Sequence, residues 1–80
     1  PILVVVHADD QCVRTPPDLA SRIVDKTNGS REQVVTVTGG PGWGGGDGLE
    51  ACKGRSPHGF IDQEAEVAAG IVRFVLGGTY

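Results

Sequence analysis

The sequence predicts an α/β fold in the order strand, helix, strand, long loop, helix, with its two strands parallel. Three observations predict it. Residues Ile2 to Val6 form a continuous, mostly β-branched apolar run. A helix-start signal, Thr15-Pro16-Pro17-Asp18, comes next, and a second β-branched run lies at Gln33 to Thr38. Strand, helix and strand joined by short links make a βαβ unit, whose strands run parallel with a right-handed crossover.

The first strand is placed at 2–7. Its unbroken apolar character reads as burial on both faces. The polar cluster His7-Ala8-Asp9-Asp10-Gln11-Cys12 then turns the chain into a loop. A helix is placed at 16–28: Thr15 can cap it, Pro16 fits the first helical position, and Asp18 suits the positive end of the helix dipole. Leu19, Ile23, Val24 and Thr27 share one helical face, and Asn28-Gly29 supplies the stop. The second strand, 33–38, takes its apolar weight from Val34, Val35 and Val37. A Gly-rich loop over 39–57 follows. The last helix is placed at 62–76, with Asp62 as its cap and Ala65, Ala68, Ala69, Val72 and Val75 as its buried stripe, widened by Val67, Ile71 and Phe74. Gly70, in mid-helix, points to close packing against a neighbour, and Gly77-Gly78 ends the helix.

Eighty residues allow one small domain. A formal charge of -3 with both signs scattered leaves no basic stripe for a phosphate backbone, so nucleic acid is not an expected partner. The longest apolar run falls far short of the ~20 residues of a membrane helix. A chain that begins at Pro1 and lacks methionine suits a fragment or a processed product, although removal of an initiator methionine before Pro gives the same start. A two-stranded parallel sheet is itself an incomplete unit, because parallel sheets persist only when covered on both faces. An open strand edge and an apolar helix face are therefore expected, to be met by the rest of a larger sheet or by a second chain.

Open α/β sheets bind ligands beyond the carboxyl ends of their strands. The first strand ends at His7-Ala8-Asp9-Asp10, and the second leads through the glycine loop to Ser56-Pro57-His58-Gly59-Phe60. An acid and a histidine thus leave the same sheet edge. A carboxylate that accepts a hydrogen bond from an imidazole fixes its tautomer and steadies the imidazolium formed in catalysis.

These residues carry a resemblance. A strand opened by Pro, then His-x-x-Asp, a Thr-Pro helix start, a second strand and a loop to His-Gly-Phe before a terminal helix is similar to the last third of α/β-hydrolases. Asp10-Gln11-Cys12, Cys52 and Ser56-Pro57-His58-Gly59-Phe60 resemble a bacterial, largely uncharacterised branch of that superfamily. The resemblance implies that Asp10 is the triad acid, with Asp9 the alternative one residue away, and that His58 is the general base. It also implies that the fold is a piece of a larger parallel sheet. The nucleophile elbow Gly-x-Ser-x-Gly does not occur here. Gly54-Arg55-Ser56-Pro57-His58 fails it at the last position, and Ser56 precedes a proline instead of opening a helix. Without nucleophile or oxyanion donors, this chain alone is expected to hydrolyse little or nothing.

If Asp10 meets His58, then Cys12 and Cys52 come together and a disulfide follows. It implies a periplasmic or secreted protein. Two separate thiols in a cytoplasmic protein are the alternative. No metal is expected: His7, Asp9, Asp10 and Cys12 crowd together, yet mixed hard and soft donors at that spacing match no common site, and Cys12 has a better partner in Cys52. No cofactor is expected either. The glycine run 39–48 lacks the Gly-Lys-Ser/Thr and following helix of a phosphate cradle, and reads instead as a mobile loop near the site, with Trp43 as a lid or partner contact. His7 reads as a structural strand-end residue.

The expected function is the C-terminal part of an esterase-like serine hydrolase, with Asp10 orienting His58 and the serine supplied from elsewhere. The alternative is a non-catalytic α/β module that forms oligomers through its exposed strand edge.

Overall fold

The computed structural model describes residues 1–26, 31–40 and 49–80. Two strands, β1 (Ile2–His7) and β2 (Glu32–Val37), pair in parallel as a two-stranded sheet. The register runs from Ile2 opposite Glu32 to His7 opposite Val37, so both strands release the chain at the same edge. A helix, α1 (Ser21–Asp25), lies between them in sequence, and a longer helix, α2 (Glu64–Val75), follows. This is a small α/β arrangement, compatible with a piece of a larger sheet. Burial on both faces of β1 is not reached: Ile2 to Val6 are half-buried, and only His7 is fully covered.

The 16–28 helix is shorter and starts later than expected. Pro16 has ψ 129°, outside the helical region. The ring of Pro17 disfavours a helical residue before it, so a Pro-Pro pair cannot start a helix at its first member. A 3-10 turn occupies Pro17–Leu19, and α1 then covers five residues. Thr15 does not cap this segment; its hydroxyl is drawn to Asp10 and His58 instead. Leu19 and Ile23 remain exposed. Thr27 and the expected Asn28-Gly29 stop lie outside the described residues.

β2 starts and ends one residue earlier than the expected 33–38. Thr38 falls beyond the ladder, where its carbonyl accepts a hydrogen bond from Gln63 Nε2 at 2.8 Å. The segment placed in the 39–57 loop contains a 3-10 turn at Glu50–Cys52, and a second 3-10 turn, Pro57–Gly59, follows it. Its glycine-rich centre, 41–48, including Trp43, lies outside the described residues.

The expectations for α2 need two corrections. Asp62 is not its cap: with φ 61° it sits in the left-handed region, and Gln63 takes the N-cap position. The buried stripe is also a different one. Val67, Gly70 and Phe74 are buried, in line with Gln63 one turn earlier, whereas Ala65, Ala68, Ala69, Ile71, Val72 and Val75 face solvent. The helix is apolar nearly all round, so periodicity alone does not select a face. Three anchors do. Gln63 ties its start to the strand ends. A side chain at Gly70 would collide with the Tyr80 ring, so the expected close packing at this glycine is present. Arg31 Nη2 donates to the carbonyls of Phe74 (2.6 Å) and Gly78 (2.8 Å), and its guanidinium lies over the Phe74 ring. The expected stop holds: Gly77, at φ 102°, donates to Phe74 O while Gly78 donates to Arg73 O, a pairing that satisfies the last carbonyls.

Candidate functional site

The site grows from the carboxyl ends of the two strands. His7, 2% exposed, closes β1, and its ring is held on both sides. The Asp9 backbone N–H donates to Nδ1 at 3.0 Å. That places the ring proton on Nε2, which donates to Gln63 Oε1 at 2.9 Å and approaches Gly39 O at 3.1 Å. Gln63 passes the link on to Thr38 O. One histidine and one amide thus bind the ends of β1 and β2 to the start of α2. The structural role expected of His7 fits this network.

After His7 the chain turns tightly. Ala8 N–H donates to Val37 O, extending the ladder by one bond, and Asp10 N–H donates back to His7 O. Asp10 Oδ1 accepts the Cys12 N–H at 2.8 Å, the short-range turn to which Asp is suited. Its other oxygen, Oδ2, is thereby aimed at His58 Nδ1, 3.0 Å away. Thr15 Oγ1 completes the group, 3.2 Å from His58 Nδ1 and 3.5 Å from Asp10 Oδ2.

His58 is held from the other side. It lies in the 3-10 turn Pro57–Gly59, where Pro57 fixes the first residue and Gly59 N–H closes the turn on Ser56 O at 2.9 Å. Gly59 abuts the Gly54 backbone so closely that no side chain fits, which explains the glycine after the histidine. Ser56 is fully buried, and its hydroxyl shares its one proton between Lys53 O, 2.6 Å away, and Ala51 O, 3.0 Å away. It braces the turn and is not placed to attack a substrate.

Cys12 and Cys52 form a disulfide that closes 40 residues of sequence separation. It joins the acid loop to the 3-10 turn before His58. The chain-entropy model credits such a bridge with roughly 4 kcal/mol. The side chain of Asp10 is 6% exposed and that of His58 31%. The acid is therefore an internal support, and the imidazole is the group that meets solvent.

Of the residues singled out from sequence, the structure brings Asp10, His58, Cys12 and Cys52 together. Asp9 is exposed and contributes its backbone N–H to His7, so Asp10 is the acid in contact. Sequence reasoning missed Thr15 as the third polar group. The signal available was the Pro-Pro pair after it, which frees Thr15 from capping duty. Gln63 was also missed; nothing in its local pattern separates it from any polar residue at a helix start.

His7, Asp10, Thr15 and His58 share a wall of a groove of about 400 Å³. Its apolar lining includes Val4, Val5 and Val6 of β1, Leu19 and Ile23 of the helical segment, and Phe60. The groove follows β1 from Val4 to His7 and ends at Asp10 and His58. β1 pairs with β2 alone among the described residues. Asp10, Cys12 and His58 also offer metal-ligating atoms within 4.8 Å of one another, with the Cys12 sulfur engaged in the disulfide. No family model, no curated protein and no solved structure matches the chain.

Proposed function

We propose that this chain supplies the acid and the base of a hydrolytic triad, and that the nucleophile comes from a segment that seats along the open edge of β1. The observation that carries this is the Asp10 Oδ2 to His58 Nδ1 contact of 3.0 Å, with the acid buried and the imidazole partly exposed. In this arrangement Asp10 holds a proton on Nδ1, and Nε2 is left to take a proton from a nucleophile and return it to a leaving group. The implied reaction is esterase-like acyl transfer to water. Asp10 and His58 act only when a serine and oxyanion donors are added, as in the α/β-hydrolases that the sequence resembles.

The disulfide supports a periplasmic or secreted setting, where such bonds persist. Among the described residues no helix is long and apolar enough to cross a membrane.

A fluorophosphonate probe on the intact gene product tests the reading. The expected result is label on a serine in an upstream Gly-x-Ser-x-Gly. His58→Ala abolishes the labelling, and Asp10→Asn lowers turnover by about 10⁴-fold. A native product that takes no label and forms a stable homo-oligomer through β1 contradicts the proposal. It supports instead the non-catalytic α/β module, which the open strand edge also favours.

A further inference from the structure

We infer that the dithiol form of this chain binds one Zn²⁺ through Cys12, Cys52, His58 and Asp10. The inference stands apart from the hydrolase reading, since it needs neither a serine nor an added strand. Its starting point is that the disulfide and the acid–histidine pair occupy one place. Ligating atoms of Asp10, Cys12 and His58 lie within 4.8 Å of one another, and the Cys52 sulfur is bonded to that of Cys12. Three donors thus share one place, and the fourth, the Cys52 sulfur, is tied to it through its bond to Cys12.

Their chemistry is that of zinc. Thiolate, imidazole and carboxylate are its three usual protein ligands, and four-coordinate tetrahedral sites are its usual structural form. Bonds of 2.0–2.3 Å put neighbouring donors of a tetrahedron about 3.3–3.8 Å apart. The 3.0 Å between Asp10 Oδ2 and His58 Nδ1 is already close to that edge. The two sulfurs, bonded in the disulfide, need to separate to that spacing once their bond is cut. Asp10 is also pre-aimed, because Oδ1 is occupied by the Cys12 N–H and Oδ2 is turned inward.

The steps balance with a dithiol as reductant. Two electrons and two protons pass from the dithiol to the Cys12–Cys52 bond, giving two thiols and a cyclic disulfide. Zn²⁺ then displaces one proton from each thiol to solvent. The imidazole ligates through Nδ1, its ring proton passing to Nε2, and Asp10 ligates as the carboxylate. The metal restores the cross-link between the acid loop and the His58 turn that the disulfide provides when oxidised. It also engages the two groups that a hydrolase would need free. The same four residues thus hold the corner in either redox setting, with the acid–histidine pair available only in the disulfide form.

The test is a Zn²⁺ titration of the full chain with and without phosphine reduction, against a competing chelator. The expected result is one Zn²⁺ per reduced chain, both thiols shielded from alkylation by bound metal, and no binding to the disulfide form. His58→Ala and Asp10→Asn, which keep both thiols, should each weaken binding on the order of 10-fold or more. Co²⁺ in the reduced wild-type chain should give thiolate charge-transfer absorption and the intense visible bands of a four-coordinate ion, a readout independent of how the variants fold. Equal binding by the disulfide form overturns the inference. So do failure of the reduced chain to bind, unchanged affinity in both variants, or a six-coordinate Co²⁺ spectrum.

Discussion

At the carboxyl ends of β1 and β2, the buried polar side chains all have partners: His7 with Gln63, Ser56 with two carbonyls, Asp10 with His58 and a backbone N–H. Along the outside of α2 the reverse is found, for Val72, Val75 and Leu76 stand in solvent, with Leu76 81% exposed. The corner is cross-linked and hydrogen-bonded, with a disulfide across it. The rim is apolar and bare. A protein that covered its own surfaces would spread its apolar burial more evenly, because contiguous exposed apolar patches mark places where something docks. The difference teaches that the polar corner is formed by contacts within this chain, while the outer face of α2 leaves its apolar side chains in solvent.

Four mutational experiments break or sharpen that contrast. The largest effect is expected from Cys12→Ser with Cys52→Ser under oxidising conditions. Chemical denaturation should show a loss of roughly 4 kcal/mol if the bridge acts on the unfolded chain as a loop closure. A loss below 1 kcal/mol would mean that the corner holds without it. Next is Gln63→Leu, which removes the amide from the Thr38 carbonyl and leaves the His7 Nε2–H with Gly39 O as its acceptor. Losing these hydrogen bonds should cost about 1–3 kcal/mol in all. An unchanged denaturation midpoint would remove the amide from the corner's supports.

A change of similar or smaller size, but with a sign that depends on its neighbour, is expected at Gly70. With Tyr80 in place, Gly70→Ala should destabilise by about 1–3 kcal/mol through overpacking. In a Tyr80→Ala background the same change should stabilise by up to about 1 kcal/mol, because Ala is the better helix former. The same sign in both backgrounds would contradict the ring contact. The smallest effect belongs to the rim. Leu76→Lys should change the stability of the isolated chain by no more than about 0.5 kcal/mol, as for other exposed positions. A larger loss that grows with protein concentration would show the α2 face buried between copies.

The elements that could be read from sequence were those fixed by local chemistry. β-branched runs gave both strands to within a residue, and Gly77-Gly78 marked the end of α2. Placing Asp10 beside His58 and Cys12 beside Cys52 followed from the rule that both strands of a βαβ unit end at one sheet edge, together with the family resemblance. The buried face of α2 was not readable. A helix with apolar residues on nearly every side is oriented by contacts that are distant in sequence, and Arg31, Tyr80 and Gln63 announce themselves in no local period. Thr15 was misplaced for a different reason. Capping and hydrogen bonding to an acid–histidine pair use the same hydroxyl, and only the extended backbone of Pro16 decides between them.

The central claim is that Asp10 orients His58 by accepting its Nδ1 proton, and NMR of the ¹⁵N-labelled imidazole tests it most directly. The account predicts a His58 proton bound to Nδ1, shifted downfield by the Asp10 carboxylate, and lost or moved upfield in Asp10→Asn while the His7 ring keeps its proton on Nε2. A His58 ring that carries its proton on Nε2 in the wild-type chain, with Nδ1 accepting from Thr15, would contradict it.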